Sequence, residues 1–400
     1  MVSPAVPAWV YKGAKFDLDF ANDRIWGGTI RSSNIIIGNQ SKTLVSGPGT
    51  AVPRYGINLA GKLVLFGQYE ARYVRDVGLF TDLDTTNVAL WCRDFTNAVW
   101  TKTNMTATKN QIGAEDAANS ASLLTATASD ATALQSVTLT SRAFATSVWM
   151  KRSVGTGTVS ITTDNVTWTD ITSQINSTSY TRVVAPNQTL ANPVFGIKIS
   201  TSGDAVIADF FQTEHTNAGG TVYPTFPLLT TTASVARLVE EPYYGEIAGV
   251  PNAGQRMIND IMKTGGPWSC RFEYFTVRPI SGALILSDGG VTLQADATGA
   301  MGFSGQGGTQ AVSGSAQNIG LFNWNRVCAG VNGQGNKMCL NGGPVVTAGA
   351  SFLTPATVFT HCGLASNGNG GGNLGGAVSR MTLWARELSE GEMIEYTRPS

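Results

Sequence analysis

Along most of the chain, apolar and polar residues alternate over short runs of five to eight positions. In Phe16-Asp17-Leu18-Asp19-Phe20 the three apolar residues fall on one face, and Trp268-Ser269-Cys270-Arg271-Phe272-Glu273-Tyr274 repeats the pattern. A period of two marks a strand with one face buried. Ile35-Ile36-Ile37 and Lys62-Leu63-Val64-Leu65-Phe66 predict further strands. So do Ser147 to Lys151, Thr158 to Thr162, Val194 to Ile199 and Ala205 to Phe211. In the last third, strands are expected at 268–277, 283–287, 291–295, 326–331, 337–340, 358–364 and 376–384. Turn signals separate them: Gly27-Gly28, Ser46-Gly47-Pro48-Gly49, Gly61, Asp164-Asn165, Gly289-Gly290, Gly305 to Gly308 and Asn367 to Gly376.

Only two segments read as helices. One is amphipathic, about 253–263, with Met257, Ile258, Ile261 and Met262 on one side and Gly265-Gly266 as its stop. The other is terminal: Ser389 as N-cap and Glu392 at N3 form a capping box. The pattern predicts a mainly β protein, with two antiparallel, jelly-roll-like β-sandwich domains after a small, loop-rich β N-terminal region. The expected boundaries are 1–85 for that region, 86–235 for the first sandwich, 236–266 for a linker with a short helix, and 267–400 for the second sandwich.

Composition agrees with strands and turns. Charged residues are 14% of the 400, against roughly 25% in ordinary soluble domains, and glycine is abundant at 46. Nine Trp, ten Tyr and sixteen Phe are ample core material, which argues against disorder. The formal charge is zero and no basic block interleaves with aromatics, so a nucleic-acid surface is not expected. Five widely spaced cysteines without a CxxC motif predict reduced, packed thiols rather than a zinc or redox centre. No stretch approaches the ~18 apolar residues of a membrane helix, and the N-terminus lacks a secretory pattern, so neither membrane insertion nor standard secretion is expected.

Several motifs together resemble a group of modular bacteriophage structural proteins. Phe16-Asp17-Leu18-Asp19-Phe20-Ala21 resembles their opening strand. Gly78-Leu79-Phe80, Thr86-Asn87-Val88 and the run from Asp94-Phe95 to Trp100-Thr101-Lys102 resemble the lead into their carbohydrate-binding-module-like jelly roll. The Glu that usually follows Gly-Leu is replaced here, with Thr81 and Asp82 nearby. Phe211-Gln212-Thr213-Glu214, then Tyr223-Pro224-Thr225-Phe226-Pro227 and Val235-Ala236-Arg237, are similar to that module's Q-x-E, Y-x-P-T and V-x-R ending. Gly376 to Ser389 resembles the strand and small helix of a laminin-G/concanavalin-A-like sandwich.

The resemblance implies a virion structural protein displayed on the particle, tail- or collar-associated, with residues 1–85 as the attachment region. It would bind host-surface glycans or a receptor, with other virion proteins as partners and a homo-oligomer, by analogy a trimer, supplying multivalency. The alternative is a purely architectural capsid decoration or head/neck fibre component, with a polysaccharide depolymerase least supported.

Candidate chemistry points the same way. The only histidines are His215 and His361, and His361 beside Cys362 on a strand would face away from it. The acidic residues are scattered, without an evident pair for glycoside cleavage. No enzymatic activity and no cofactor is therefore expected. Laminin-G-like folds often hold calcium, but Asn367, Asn369 and Asn373 lack a neighbouring carboxylate, and the expected role of that loop is a glycine-rich turn. Sugar binding would use an aromatic platform flanked by amides. Trp168, Trp324 in Asn323-Trp324-Asn325, and Asn367, Asn369 and Asn373 are the candidates, although burial is at least as well supported for Trp324. Trp149, Trp268 and Trp384 read as core.

Overall fold

The computed structural model describes residues 85–216, 222, 224–237, 267–276, 300–304, 323–332, 335–348 and 376–398. It also describes 54–58, 62–66 and shorter strands at 14–19, 24–25, 28–31, 34–37, 40–43, 45–46, 72–74, 78–81, 242–245, 283–287, 292–295, 311–312 and 361–364. The expected helix at 253–263 and the loop carrying Asn367, Asn369 and Asn373 lie outside the described residues. The protein is mainly β, with antiparallel sheets forming sandwich-like units.

The first sandwich spans 85–237. One of its sheets runs Met105–Gln111, Ala121–Ala126, Ala205–His215, Thr85–Asn87, Val235–Arg237, with Arg142–Val154 also paired to Ala205–His215. The other runs Thr101–Thr103, Ala131–Ser136, Val194–Ile199, Val159–Thr162, Trp168–Asp170. Residues of alternate parity, such as Leu124, Val148, Ile161 and Ile197, meet between the sheets. An aromatic cluster closes one end, with Phe95 stacked on Trp100 at 4.3 Å between ring centroids and Phe195 on Phe211 at 5.7 Å.

Alternation breaks once inside Ala205–His215. Ser147 opposes Gln212 and Trp149 opposes Asp209, so Phe210 and Phe211 together face Val148. This is a β-bulge, with Phe210 at φ +44°. Val206 and Ala208 point into the core before it, and Phe211 points in after it. Asp209 and Phe210 are both sent outward. There Phe210 joins Tyr55, Leu63 and Cys92, with the hairpin of Arg54–Ile57 and Leu63–Phe66 packed over it. Trp149 belongs to this outer cluster, half-buried, which corrects its expected place in the core.

The second set of sheets combines strands from both ends of the chain. Gly376–Trp384 pairs on one edge with Trp268–Thr276 and on the other with Ala14–Asp19 and Gly78–Thr81. Pro242–Gly245 likewise pairs with Val45–Ser46 and His361–Leu364. The sandwich of 85–237 thus interrupts, in sequence, a sheet built from residues on either side of it. At Gly78, φ is +112° and a Cβ would stand 2.2 Å from the Val378 carbonyl oxygen, so only glycine fits this junction.

Trp268 and Trp384 are fully buried, as their alternation predicts. The helix Glu390–Thr397 begins with the expected capping box: the Ser389 side chain accepts from the Glu392 N–H, and Glu392 accepts from the Ser389 N–H. Arg386 pairs with Glu392 at 2.7 Å and holds its carboxyl down at about 2. That lies below the ordinary glutamate value, so the stability this group contributes is present above about pH 4.5 and is lost as pH falls toward 2. Glu392→Ala is expected to lower stability at pH 7 by about 1 kcal/mol, screening at this half-exposed site keeping the ion pair's share small. Urea melts at pH 7 and pH 3 check it: the wild-type/variant difference should shrink at the lower pH.

Candidate functional site

The turn that follows Asn87 sets up the site. Asn87 uses its whole amide: Nδ2 donates to the carbonyls of Phe211 and Leu228, and Oδ1 accepts from the N–H groups of Ala89 and Thr213. The chain then winds through 90–100, where Lys102 Nζ donates to the carbonyls of Phe95, Thr96, Asn97 and Trp100 at 2.8–3.5 Å. Trp100 Nε1 donates to the carbonyl of Trp91 at 3.2 Å. These bonds satisfy carbonyls that a turn leaves without ladder partners.

Trp91 emerges half-buried with φ +48°, a region that bulky L-residues rarely occupy. Its N–H donates to the Thr231 carbonyl, which ties the turn to the segment 225–231. Between these two pieces of chain lies a cleft of about 250 Å³. Trp91, Arg93 and Asp94 form one wall, Leu229, Thr230 and Thr231 another, and Lys109, Asn119 and Ser120 close it. Asn119 also has a positive φ, +55°.

Beneath the cleft is a buried charge cluster. Arg93 Nε and Nη2 donate to the two oxygens of Asp209 at 2.7 and 3.1 Å. Nη1 and Nη2 reach Glu115 at 2.5 and 2.8 Å. The guanidinium lies 4.1 Å over the Phe210 ring. Asp209 is fully buried and also accepts from the Ala114 and Phe210 N–H groups. Burial raises its carboxyl to about 6, Arg93 opposing that rise. Burial alone would lower the Arg93 pKa, but the charge and hydrogen bonds of Asp209 and Glu115 raise it instead.

A second buried cluster fastens 225–231 to the sheet. Glu214, fully buried, accepts from the N–H and hydroxyl of Thr225 at 3.0 and 2.5 Å, with Arg182 at 3.8 Å. Gln212 accepts from the Leu228 N–H, and Arg237 donates to the carbonyls of Phe226 and Pro227. The Q-x-E, P-T and V-x-R motifs are therefore one clasp.

The structure spreads the residues singled out in the sequence. Trp168 sits half-buried on an edge strand of the 85–237 sandwich, with Lys198 Nζ 4.7 Å over one ring face. Trp324 stands on another sheet, half-buried, 5.9 Å from Phe275 directly across the strand pair. Its neighbour Asn325 is fully buried, donating to the Asn323 carbonyl and accepting from Asn341. These tryptophans do not share a site, and neither lines the cleft. Sequence reasoning missed Trp91, Arg93 and Lys109. The one available signal was a tryptophan among turn residues beside the Asp94-Phe95 motif.

No family model and no curated protein matches the chain. Solved structures similar to parts of it include Ruminococcus gnavus IT-sialidase CBM40 bound to α2,3 sialyllactose, at 17% identity and TM-score 0.29, over 34% of this chain and 83% of that one. A leech intramolecular trans-sialidase is similar at 13% and 0.32, over 40% of this chain and 26% of its own. The binding domain of botulinum neurotoxin serotype C1 is similar at 12% and 0.27, over 39% and 40%. The chain thus spans well under half of the latter two, and at these TM-scores the likenesses decide nothing about chemistry. The expectation of a non-enzymatic protein does not stand. That exclusion rested on a missing sequence signature, and sialidases and a trans-sialidase stand among the similar chains, so it is withdrawn.

Proposed function

We propose that this chain is a glycan-binding β-sandwich protein displayed on a bacteriophage particle, where it engages host-surface glycans. The observation that carries the binding role is the strained Trp91 at the mouth of the cleft. A tryptophan held at φ +48° costs of order 1–2 kcal/mol, and the surrounding bonds to Trp100 and Thr231 hold it there. The half-buried residue lines a space that also offers the amide of Asn119 and the hydroxyls of Ser120 and Thr231. Apolar ring faces of sugars stack on aromatics while their hydroxyls need such donors and acceptors. The phage setting rests on the motif resemblance. Display as an oligomer with other virion proteins as neighbours would turn weak single-site binding into adhesion.

Trp91→Gly is the discriminating variant, because glycine adopts the left-handed conformation without penalty. The substitution is expected to leave the melting temperature within a few degrees of wild type and to weaken retention on immobilised bacterial-envelope oligosaccharides at least about tenfold. Equal retention by variant and wild type, or none by wild type, would sink the reading.

A further inference from the structure

Two cations reach the cleft, and both are already engaged by carboxylates of this chain. Arg93 spends Nε, Nη1 and Nη2 on Asp209 and Glu115. Lys109 Nζ stands 3.9 Å from Asp94. Lys102, whose ammonium sits in the same turn, also feels the charge of Asp94, so three carboxylates accompany three cations around the space and no positive charge is left over. Asn119, Ser120 and Thr231, which offer hydrogen bonds there, are uncharged.

From this arrangement we infer that the cleft takes one uncharged sugar residue, a neutral hexose or N-acetylhexosamine, and discriminates against sialic and uronic acids. The inference rests on the glycan-binding reading above and specifies its ligand class. An incoming sugar carboxylate would have to displace Glu115 from Arg93 or Asp94 from Lys109. It would then leave that displaced carboxylate without its cation in a partly buried place. A hydroxyl or acetamide group asks for no such exchange, since it bonds to neutral groups. Size agrees: at about 250 Å³ the space lies below the roughly 300–1,000 Å³ of pockets for drug-sized ligands, which suits a single pyranose.

Saturation-transfer difference NMR on the full chain at pH 7 tests this with four probes. They are methyl galactoside, N-acetylglucosamine, N-acetylneuraminic acid and glucuronate. The expected result is transfer to at least one neutral sugar, affinity for both acids lower by about tenfold or more, and loss of the signal in Trp91→Gly. The Asp94→Asn, Glu115→Gln double variant leaves two positive charges uncompensated and is expected to narrow or reverse the preference. Acids binding wild type as tightly as neutral sugars would overturn the inference and leave the glycan-binding reading standing. A neutral-sugar signal that persists in Trp91→Gly would also overturn it, by placing the binding elsewhere. Transfer to none of the four would remove both.

Discussion

Arg93→Met is expected to destabilise the 85–237 sandwich by about 3–5 kcal/mol at pH 8, because it strands a fully buried carboxylate. Asp209 would keep only the Ala114 and Phe210 N–H groups as donors, with Glu115 left facing it and no cation between them. The loss depends on pH, and its sign follows from the direction of the Asp209 shift. The wild-type carboxyl is raised from 3.8 to about 6. The folded state therefore binds its proton more tightly than the unfolded chain does. This stability is fully present below about pH 4 and is lost as pH rises through about 6. Without Arg93 the folded-state value climbs further, so the protonated, neutral acid persists to higher pH. The variant should thus lie closer to wild type at pH 5 than at pH 8. Urea melts at the two pH values check this. A second substitution, Asp209→Asn, should recover much of the pH 8 loss by removing the stranded charge. An equal penalty at both pH values, unrelieved by Asp209→Asn, would mean that Arg93 acts through packing on Phe210 instead.

The hydrophobic pattern was enough to locate strands, because burial on one face imposes a period of two. Val194–Ile199 and Gly376–Trp384 stand where alternation places them, and Ser389 and Glu392 cap the last helix as their spacing predicts. Alternation could not show which strands meet. The pairing of Gly376–Trp384 with Ala14–Asp19 joins residues more than 300 positions apart, and no local pattern encodes such a partner. The bulge at Phe210 was equally hidden. Asp209-Phe210-Phe211 reads as a strand with one polar interruption, and only the register against Val148 shows that two successive residues turn outward. Asp209 faces outward by the alternation that Val206 and Ala208 set, and the hidden turn adds Phe210 beneath the Arg93 guanidinium; Arg93 and Glu115 come from distant segments, so the charge cluster under the cleft was illegible too. Trp168 and Trp324 stood out in the sequence because polar residues flank them. Flanking polarity does not report what covers a ring, and here Lys198 and Phe275 lie against those rings.

Glu214→Ala links the recognised motifs to the cleft and is expected to cost about 3 kcal/mol in stability, together with the binding itself. The carboxylate is fully buried and is the acceptor for both the N–H and the hydroxyl of Thr225. Alanine would leave that N–H without its acceptor and would take the countercharge from Arg182 at 3.8 Å. The segment 225–231 would then rest on Gln212, on the Asn87 bond to Leu228, on the Arg182 bond to the Thr225 carbonyl, on the Arg237 bonds to Phe226 and Pro227, and on its contacts with the 88–92 turn. Leu229, Thr230 and Thr231 are one wall of the cleft, and the Thr231 carbonyl is the acceptor for the strained Trp91 N–H. Loosening the clasp therefore releases the very bond that holds Trp91 at φ +48°. Loss of binding should exceed what the fall in folded fraction explains, with faster amide exchange at Trp91 and 225–231 while Phe195 and Ile197 keep their protection. Glu214→Gln separates the two contributions. It preserves an acceptor for the Thr225 N–H while it removes the charge and turns the second acceptor into a donor toward the Thr225 hydroxyl, so it should lose less stability than the alanine variant and keep the cleft wall in place. If both variants bind as wild type does while both are destabilised, the clasp serves the fold alone and the cleft wall is held by the turn.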